Sequence, residues 1–392
     1  MPKSKWLVAA AIWILTLITL CPVLLHWPIP PPRISRSNLA IELQYPFAIL
    51  LCYCFFRAEV RTSSRSKAFC LVLLVFLLTS FINNVHSFNV DETSRYFGSI
   101  SDAAWQENLQ KLVVQLSPGA VPHSYRFLPN AIVFWMQLGR VRFDVARDVY
   151  RLFLGLLLFY ALYRYARLYT NYLGAILAML LVAAVFPITF EWYAGQLTDP
   201  LSHLSFVLAF IFLETQNFPL LLTTLLVGSL AKETILAMAG FYVLFCRREN
   251  RYLFKACVLC MSGAAVYLGV RLLVLKGTMQ FNQISGVPYT HVVENWTDPK
   301  WPALFLTTAC AYLPFLILGW KETPASLKKT VFYLLPVLFV SSLVFSWLTE
   351  TRNFMPLVFV LAVLSARYLS RHSGEYVSEP RDQERLIADP KI

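Results

Sequence analysis

Two adjacent carboxylates, Asp91 and Glu92, lie where a long apolar segment gives way to polar sequence. The run from Phe69 to Phe88 is apolar and long enough to cross a bilayer, and residues 89–96 after it are mostly polar or charged. A carboxylate at such a helix end is solvated at little cost and is still within reach of a substrate anchored in lipid. The pair therefore predicts chemistry at a membrane surface.

Other polar residues lie at the ends of apolar segments that are far apart in the sequence. They combine carboxylates, which can act as bases, with cations, which can hold a phosphate. For any one of them taken alone, an ion pair at a helix end is the better interpretation, and only the set as a whole indicates a site. The whole set is Asp91, Glu92, Arg95, His123, Tyr125, Arg126, Glu191, Gln196, Asp199, His203, Lys232, Glu233, Glu350 and Arg352.

The composition is that of an integral membrane protein. Of the 392 residues, 57% are hydrophobic and 14% are charged, against about 25% charged residues in soluble domains. The net charge of +12 comes largely from short Lys and Arg clusters between apolar runs, as the positive-inside rule expects. We therefore expect membrane lipids as partners and no nucleic acid. The eight cysteines lie in or beside apolar runs, so we predict neither disulfides nor a zinc site.

Apolar runs of membrane-spanning length define the elements that must position these residues. We predict an all-α polytopic bundle of about twelve spans with both termini in the cytoplasm, in the inner (plasma) membrane if the host is bacterial. The basic clusters then all fall on the cytoplasmic side. The predicted spans are 6–26, 39–56, 68–88, 149–168, 171–190, 200–214, 217–230, 234–246, 252–274, 302–320, 329–347 and 354–369.

The longest predicted extracytoplasmic loop, 89–148, contains short surface helices. The spacing of apolar residues predicts an amphipathic helix over Asp102–Leu116, with Ala104, Leu109, Leu112, Val113 and Leu116 on one face. The short apolar segment Phe127–Leu138 is expected to be interfacial or re-entrant. The polar tail 371–392 is expected to be cytoplasmic and disordered.

A run with charges at its centre, Phe218–Phe245, is too long for one span. Two short helices that meet at residues 231–234 explain it. This arrangement places Lys232 and Glu233 at the extracytoplasmic surface, because a charge at mid-bilayer costs at least about 2.5 kcal/mol.

Several short motifs, in this order, resemble the GT-C superfamily of membrane glycosyltransferases, in a bacterial branch. An acidic residue follows an early helix, and surface helices follow it in the first large loop. The resemblance covers roughly Phe69–Leu369 and implies a GT-C-like transmembrane domain over 68–370, with 1–67 as an added pair of helices. The motifs are Ser124-Tyr125-Arg126-Phe127-Leu128-Pro129, Asp199-Pro200, Lys232-Glu233-Thr234 and Glu350-Thr351-Arg352.

The resemblance implies transfer of a sugar from a polyprenyl-phosphate carrier to an acceptor on the outer side of the membrane. Asp91 would deprotonate or orient the acceptor hydroxyl, and Glu92 is the alternative base. Glu92 also has the spacing of a helical ion pair with Arg95. No cofactor is implied, and the absence of an Asp-x-Asp sequence in the first loop argues against a metal. The nature of the acceptor (glycan, lipid or protein) stays open.

The resemblance also implies residues that contact the substrate or its phosphate. Arg126, Lys232 and Arg352 are the candidate phosphate ligands, because Arg offers a bidentate fork and Lys a point charge. Each has an ordinary alternative: interfacial anchoring for the two arginines, and a pair with Glu233 or Glu191 for the lysine. The remaining candidates are Asp199, which could instead cap its helix, Glu233 and Glu350.

Two other functions fit the same sequence. A transporter or flippase usually shows internal repeats and polar residues at mid-membrane. Here no repeat is visible, and Glu42 and Arg271 are the main polar residues within spans. A non-catalytic subunit of a polysaccharide assembly system remains compatible with every motif. The tripeptide Asn295-Trp296-Thr297 matches a glycosylation acceptor, a pattern that is common by chance.

Overall fold

A computed structural model describes most of the chain. It covers residues 68–83, 103–120, 123–186, 197–247, 249–276, 289–298 and 312–372, with positions 301, 302, 305 and 308. The first two predicted spans, both Asp91 and Glu92, and the part of the tail after residue 372 lie outside the described residues.

Within the described residues every regular element is a helix, which confirms the all-α prediction. We number the α-helices in chain order. They are α1 (Ala68–Asn83), α2 (Ala103–Val114), α3 (Phe127–Leu138), α4 (Phe143–Arg167), α5 (Tyr172–Val185), α6 (Thr198–Glu214), α7 (Phe218–Ser229), α8 (Ala237–Phe245), α9 (Tyr252–Val274), α10 (Tyr289–Thr297), α11 (Leu313–Gly319), α12 (Ala325–Phe345) and α13 (Met355–His372). Short 3₁₀ turns cover Pro118–Ala120, His123–Tyr125, Glu233–Leu236, Trp320–Glu322 and Thr351–Phe354.

Three of the described helical segments are long and apolar enough to cross a membrane. They are Tyr252–Val274, Ala325–Phe345 and Thr351–His372. In the first two, only a minority of the residues is buried, and Leu253, Phe254 and Phe332 are among the exposed side chains. In the third, most residues are buried among the other helices. Apolar side chains exposed on a long helix are typical of a lipid-facing surface.

Successive long helices run in alternating directions, so the bundle has two ends. At one end the hydroxyl of Tyr150 in α4 donates to the carbonyl of Leu197, just before α6. At the other end Thr170 lies 3.0 Å from Ser370, oxygen to oxygen, which joins the start of α5 to the end of α13. We call the end that contains Tyr150 and Leu197 the site end, and the end that contains Thr170 and Ser370 the basic end.

Helix α5 forms the centre of the bundle, where every residue from Gly174 to Val185 is buried. Its sequence alternates small and branched apolar residues, so α4 and α13 can pack closely on either side. The remaining core extends through Tyr165, Phe206 and Phe359, all nearly inaccessible. This rigid centre holds the helix ends at fixed distances from one another.

The charged run 218–245 forms two helices, as predicted. Helix α7 ends at Ser229, the chain turns with the amide of Lys232 donating to the carbonyl of Gly228 at 2.8 Å, and α8 follows a 3₁₀ turn. Both Lys232 and Glu233 therefore lie at the site end.

The helix α3 does not carry the chain to the basic end. Its first turn is tied to the site end, where the amide of Leu128 donates to the carbonyl of Leu230, and α4 passes the site end again at Tyr150. Twelve residues span only about 18 Å, well short of a bilayer core of about 30 Å.

The amphipathic helix α2 forms within the predicted range, and its predicted apolar face is correct only in part. Val113 is buried as predicted, whereas Leu112 is exposed and the buried face also carries Gln106 and Gln110. Gln106 accepts a hydrogen bond from Arg147 and Gln110 donates to the carbonyl of Asn130. Specific polar partners on α3 and α4 thus override the apolar periodicity.

The closest approach of α6 and α7 generates a test of this packing. A Cβ at Gly228 would lie 2.8 Å from the Cβ of Ser205, whereas a Cβ at Gly269 in α9 would meet nothing within 4 Å. We expect Gly228→Leu to cost about 1–3 kcal/mol through overpacking and to lower the melting temperature of the detergent-purified protein. Gly269→Leu is the matched control, and equal melting temperatures for the two variants would contradict the described helix contact.

Candidate functional site

Three chain segments that are remote in sequence meet at the site end. Asp199 is the second residue of α6, Lys232 lies between α7 and the 3₁₀ turn Glu233–Leu236, and Arg352 lies in the 3₁₀ turn before α13. Each segment is a helix start, where the direction of the chain is fixed by the packed helix behind it. The three side chains are 3–9% exposed as residues.

The carboxylate of Asp199 joins the two cations. Its Oδ1 lies 3.2 Å from Nζ of Lys232 and its Oδ2 lies 3.0 Å from Nη1 of Arg352. Both oxygens are thus used in charge-assisted hydrogen bonds, and the side chain does not cap α6. The sequence analysis placed these three residues at one membrane face, and in the structure their side chains are in direct contact; their role in binding substrate stays a prediction.

A second carboxylate completes the network. Glu350 Oε2 accepts from Nη2 of Arg352 at 2.9 Å and from the hydroxyl of Ser346 at 2.9 Å. Asn353 links the two halves, because its Oδ1 accepts from Lys232 at 2.7 Å and its Nδ2 donates to Glu350 at 3.2 Å. These contacts connect two cations, Lys232 and Arg352, with two carboxylates, Asp199 and Glu350, so the four charges sum to zero.

Arg126 and Glu233 form a neighbouring pair rather than joining this network. Nε of Arg126 lies 3.5 Å from Oε2 of Glu233. The alternative pairing of Lys232 with Glu233 is not observed, because Lys232 turns towards Asp199 and Asn353. Lys232 and Glu233 are consecutive in the sequence but therefore belong to two adjacent clusters of charged side chains.

The electrostatics of the network keep it charged. Burial alone would raise the pKa of Glu350, but the positive charges of Arg352 and Lys232 outweigh burial and hold that pKa below its ordinary value. A buried carboxylate that remains ionised keeps its partner cations fixed in position. The site is therefore preorganised to present Lys232 and Arg352 at defined points.

Two histidines adjoin the clusters in structural roles. His203 is buried between the rings of Phe186 and Phe359, and its Nε2 lies 3.3 Å from the carbonyl oxygen of Arg352. His123 begins the turn before Arg126. Burial, with Arg126 and Arg352 nearby, lowers the pKa of His123 to about 4, so this residue is neutral at neutral pH.

A cavity of about 60 Å³ adjoins the network. Its polar lining includes Arg151, Asp199, His203 and Arg352. Its apolar lining includes Ile82, Leu158, Phe159 and Phe186, and Asn83, the last residue of α1, also contributes. A space of this size holds a few waters or a small anionic group.

Sequence reasoning missed three residues of this region: Arg151, Asn353 and Asn295. Arg151 follows Arg147 by one helical turn in α4, and both arginines are buried. Two arginines at this spacing, directly before the apolar stretch 152–162 of the same helix, are the signal that could have revealed them. The two asparagines carry no comparable signal, because their importance depends on contacts with distant carbonyl and amino groups.

Arg271 lies at the site end and not at mid-span. Its guanidinium carbon is 3.4 Å from the ring centre of Tyr267 and 4.3 Å from that of Tyr125. This aromatic sandwich stabilises a buried cation and ties α9 to the turn that precedes Arg126. In the described part of the chain, no group of three or more His, Cys, Asp or Glu residues is placed to hold a metal ion.

No family model, curated protein or solved structure matches the chain. The geometry of the site end therefore carries the functional argument. The arrangement described above can hold an anion at a boundary between polar and apolar surfaces.

Removal of the shared carboxylate tests the network. Asp199→Asn leaves two buried cations without their common partner, so we expect a loss of about 3–5 kcal/mol of stability. Asp144→Asn, which removes the exposed pair with Arg142, is the control and should leave the melting temperature unchanged. Similar melting temperatures for both variants would show that Asp199 does not hold the network together.

The shifted pKa of His123 predicts how stability depends on pH. The unfolded chain binds a proton at this residue below about pH 6.5, whereas the folded protein does so only near pH 4. Its contribution to stability is therefore complete above pH 6.5 and is lost as the pH falls towards 4. Melting temperatures measured from pH 7.5 to 4 should fall less steeply in His123→Gln than in the unmodified protein. Parallel curves for the two proteins would contradict a buried, neutral His123.

Proposed function

We propose that this protein is a multi-pass membrane glycosyltransferase of the GT-C type, which moves a sugar from a polyprenyl-phosphate carrier to an acceptor at the extracytoplasmic face. The observation that carries the proposal is the convergence of Asp199, Lys232 and Arg352 at one end of an apolar helical bundle. Fixed cations at the edge of apolar surface suit a phosphate that is attached to a lipid chain.

The distribution of basic residues supports the proposed orientation. Lys255 pairs with Glu249 and Arg371 with Glu322, both at the basic end, and Lys328 and Lys329 lie there against aromatic rings. In the proposed topology of twelve spans, the basic end and both termini are cytoplasmic. The site end then faces the outside of the plasma membrane, which is the inner membrane if the host is bacterial.

The roles of the charged residues follow from their contacts. Lys232 and Arg352 neutralise the charge that develops on the departing phosphate. Asp199 and Glu350 hold those two cations in place, so their contribution is to positioning. Arg126, held by Glu233, supplies a further cation beside the first cluster.

The proposed base, Asp91, is close in sequence to a residue that lines the cavity. Asn83, the last residue of α1, lines the cavity, and Asp91 comes eight residues later, a reach of at most about 27 Å. In the proposed reaction the acceptor oxygen attacks the anomeric carbon and its proton passes to Asp91, with Glu92 as the alternative base. The bond between that carbon and the phosphate oxygen breaks, and the polyprenyl phosphate leaves with the electron pair.

Replacement of the base is the decisive test. Purified full-length protein is assayed for release of polyprenyl phosphate from a panel of polyprenyl-phosphate sugars with a mixed acceptor extract. We expect Asp91→Asn to reduce turnover by about 10²–10⁴-fold, the usual contribution of a general base, and Glu92→Gln to retain most of it. The exposed carboxylate variant Asp144→Asn is the control.

The outcomes separate the proposed function from its alternatives. Full activity of Asp91→Asn would remove Asp91 from the mechanism. If the unmodified protein turns over none of the donors and Asp91→Asn still supports polysaccharide assembly in cells, the protein is a non-catalytic subunit. Labelling of introduced cysteines at positions 91 and 232 from opposite sides of the membrane would defeat the proposed active centre.

A further inference from the structure

The side chain of Asn295 is buried against the end of a neighbouring helix. Asn295 lies in α10 and is 1% exposed. The two hydrogens of its amide nitrogen are shared among three carbonyl oxygens, those of Ser342 and Leu343, each at 3.1 Å, and that of Ser346 at 2.7 Å. Its own carbonyl oxygen accepts from the backbone amide of Leu348 at 2.7 Å.

These contacts provide hydrogen-bond donors for backbone carbonyl groups at the end of α12. A helix ends with carbonyl groups that have no partner within the helix, and many helices satisfy them through a glycine that turns the chain back. Helix α12 ends at Phe345, and Ser346 leaves it in an extended conformation. The carboxamide of Asn295 therefore supplies, from another segment, a partner for the terminal carbonyl groups of Leu343 and Ser346. The carbonyl of Ser342 also accepts from the backbone amide of Ser346.

The carboxamide of Asn295 is connected to the charged network through two successive hydrogen bonds. Asn295 holds Ser346 through its carbonyl oxygen, and the hydroxyl of Ser346 donates to Glu350 at 2.9 Å. Asn353 donates to that hydroxyl at 3.0 Å. The position of the segment 346–350, and with it the carboxylate that orients Arg352, thus depends on Asn295.

Aromatic contacts keep α10 in its place. The indole of Trp301 donates to the carbonyl of Trp296 at 3.3 Å, and its ring centre lies 5.8 Å from that of Phe339 in α12. Trp296 also contacts Phe339 edge to face. Because α10 is anchored to α12 independently of Asn295, loss of the carboxamide should loosen the segment 346–350 without detaching the helix.

We propose that Asn295 is a positioning residue that clamps the end of α12 and thereby orients Glu350 and Arg352 in the site. Its burial assigns the sequence Asn295-Trp296-Thr297 to this clamp, because a glycan on the amide nitrogen would displace all three carbonyl contacts. The clamp stands on the geometry alone, and its effect on sugar transfer rests on the proposed function.

Hydrogen–deuterium exchange of the full-length protein tests the clamp without any substrate. In Asn295→Ala we expect faster exchange in peptides that contain Leu348, with exchange in α9 unchanged. Asn295→Asp keeps an acceptor for the Leu348 amide but, when ionised, cannot donate to the carbonyl groups, so we expect a smaller acceleration at Leu348 than in Asn295→Ala. Thr297→Ala is the matched control, since it removes the glycosylation pattern and leaves the carboxamide in place. Unchanged exchange at Leu348 in Asn295→Ala would overturn the clamp.

Steady-state kinetics with a polyprenyl-phosphate sugar test the positioning role. We expect Asn295→Ala to lower kcat by about tenfold or more with less than a twofold change in KM for the donor, as for a contact needed mainly in the transition state. Thr297→Ala should keep both constants. Faster exchange at Leu348 with unchanged kcat would reject the positioning role. Faster exchange in a protein whose unmodified form transfers no sugar would reject the proposed function and leave the clamp standing.

Discussion

The site end depends on one carboxylate, that of Asp199, which binds Lys232 with one oxygen and Arg352 with the other. Taking three charges out of water is costly unless the geometry of their hydrogen bonds is good. Here part of the cost is offset because Asn353 accepts from Lys232 and Glu350 accepts from Arg352. The α6, α7 and α13 segments are therefore joined at their ends by charge and along their lengths by apolar packing.

The apolar centre contains no charged residue from Gly174 to Val185 of α5, whereas the charged network needs this centre to bring its members within hydrogen-bonding distance. Glu350 and Asn353 contact the cations and form a supporting shell. Such a shell fixes Lys232 and Arg352 more firmly than long, flexible side chains could be fixed alone.

The sequence predicted the helices well and the contacts only in part. Both boundaries of the helix 252–274 were predicted correctly. Lys232 and Arg352 were predicted to lie at one membrane face, because hydropathy and charge indicate where the chain can leave an apolar environment. The choice of partners was not readable: Lys232 pairs with Asp199 rather than with its neighbour Glu233. The polar part of the buried face of α2 was also missed, because Gln106 is buried through its contact with Arg147, which is distant in sequence.

The spacing of the network along the chain has a consequence for how the protein is made. Asp199 and Lys232 are 33 residues apart, but Arg352 follows Asp199 by 153 residues. During synthesis the first two can neutralise each other early, as a single ion pair at a helix mouth. Arg352, Glu350 and Asn353 are synthesised much later, after all the described α-helices except α13. Helix α13, the last of the described helices along the chain, thus completes the site, so that a chain truncated before residue 350 lacks it.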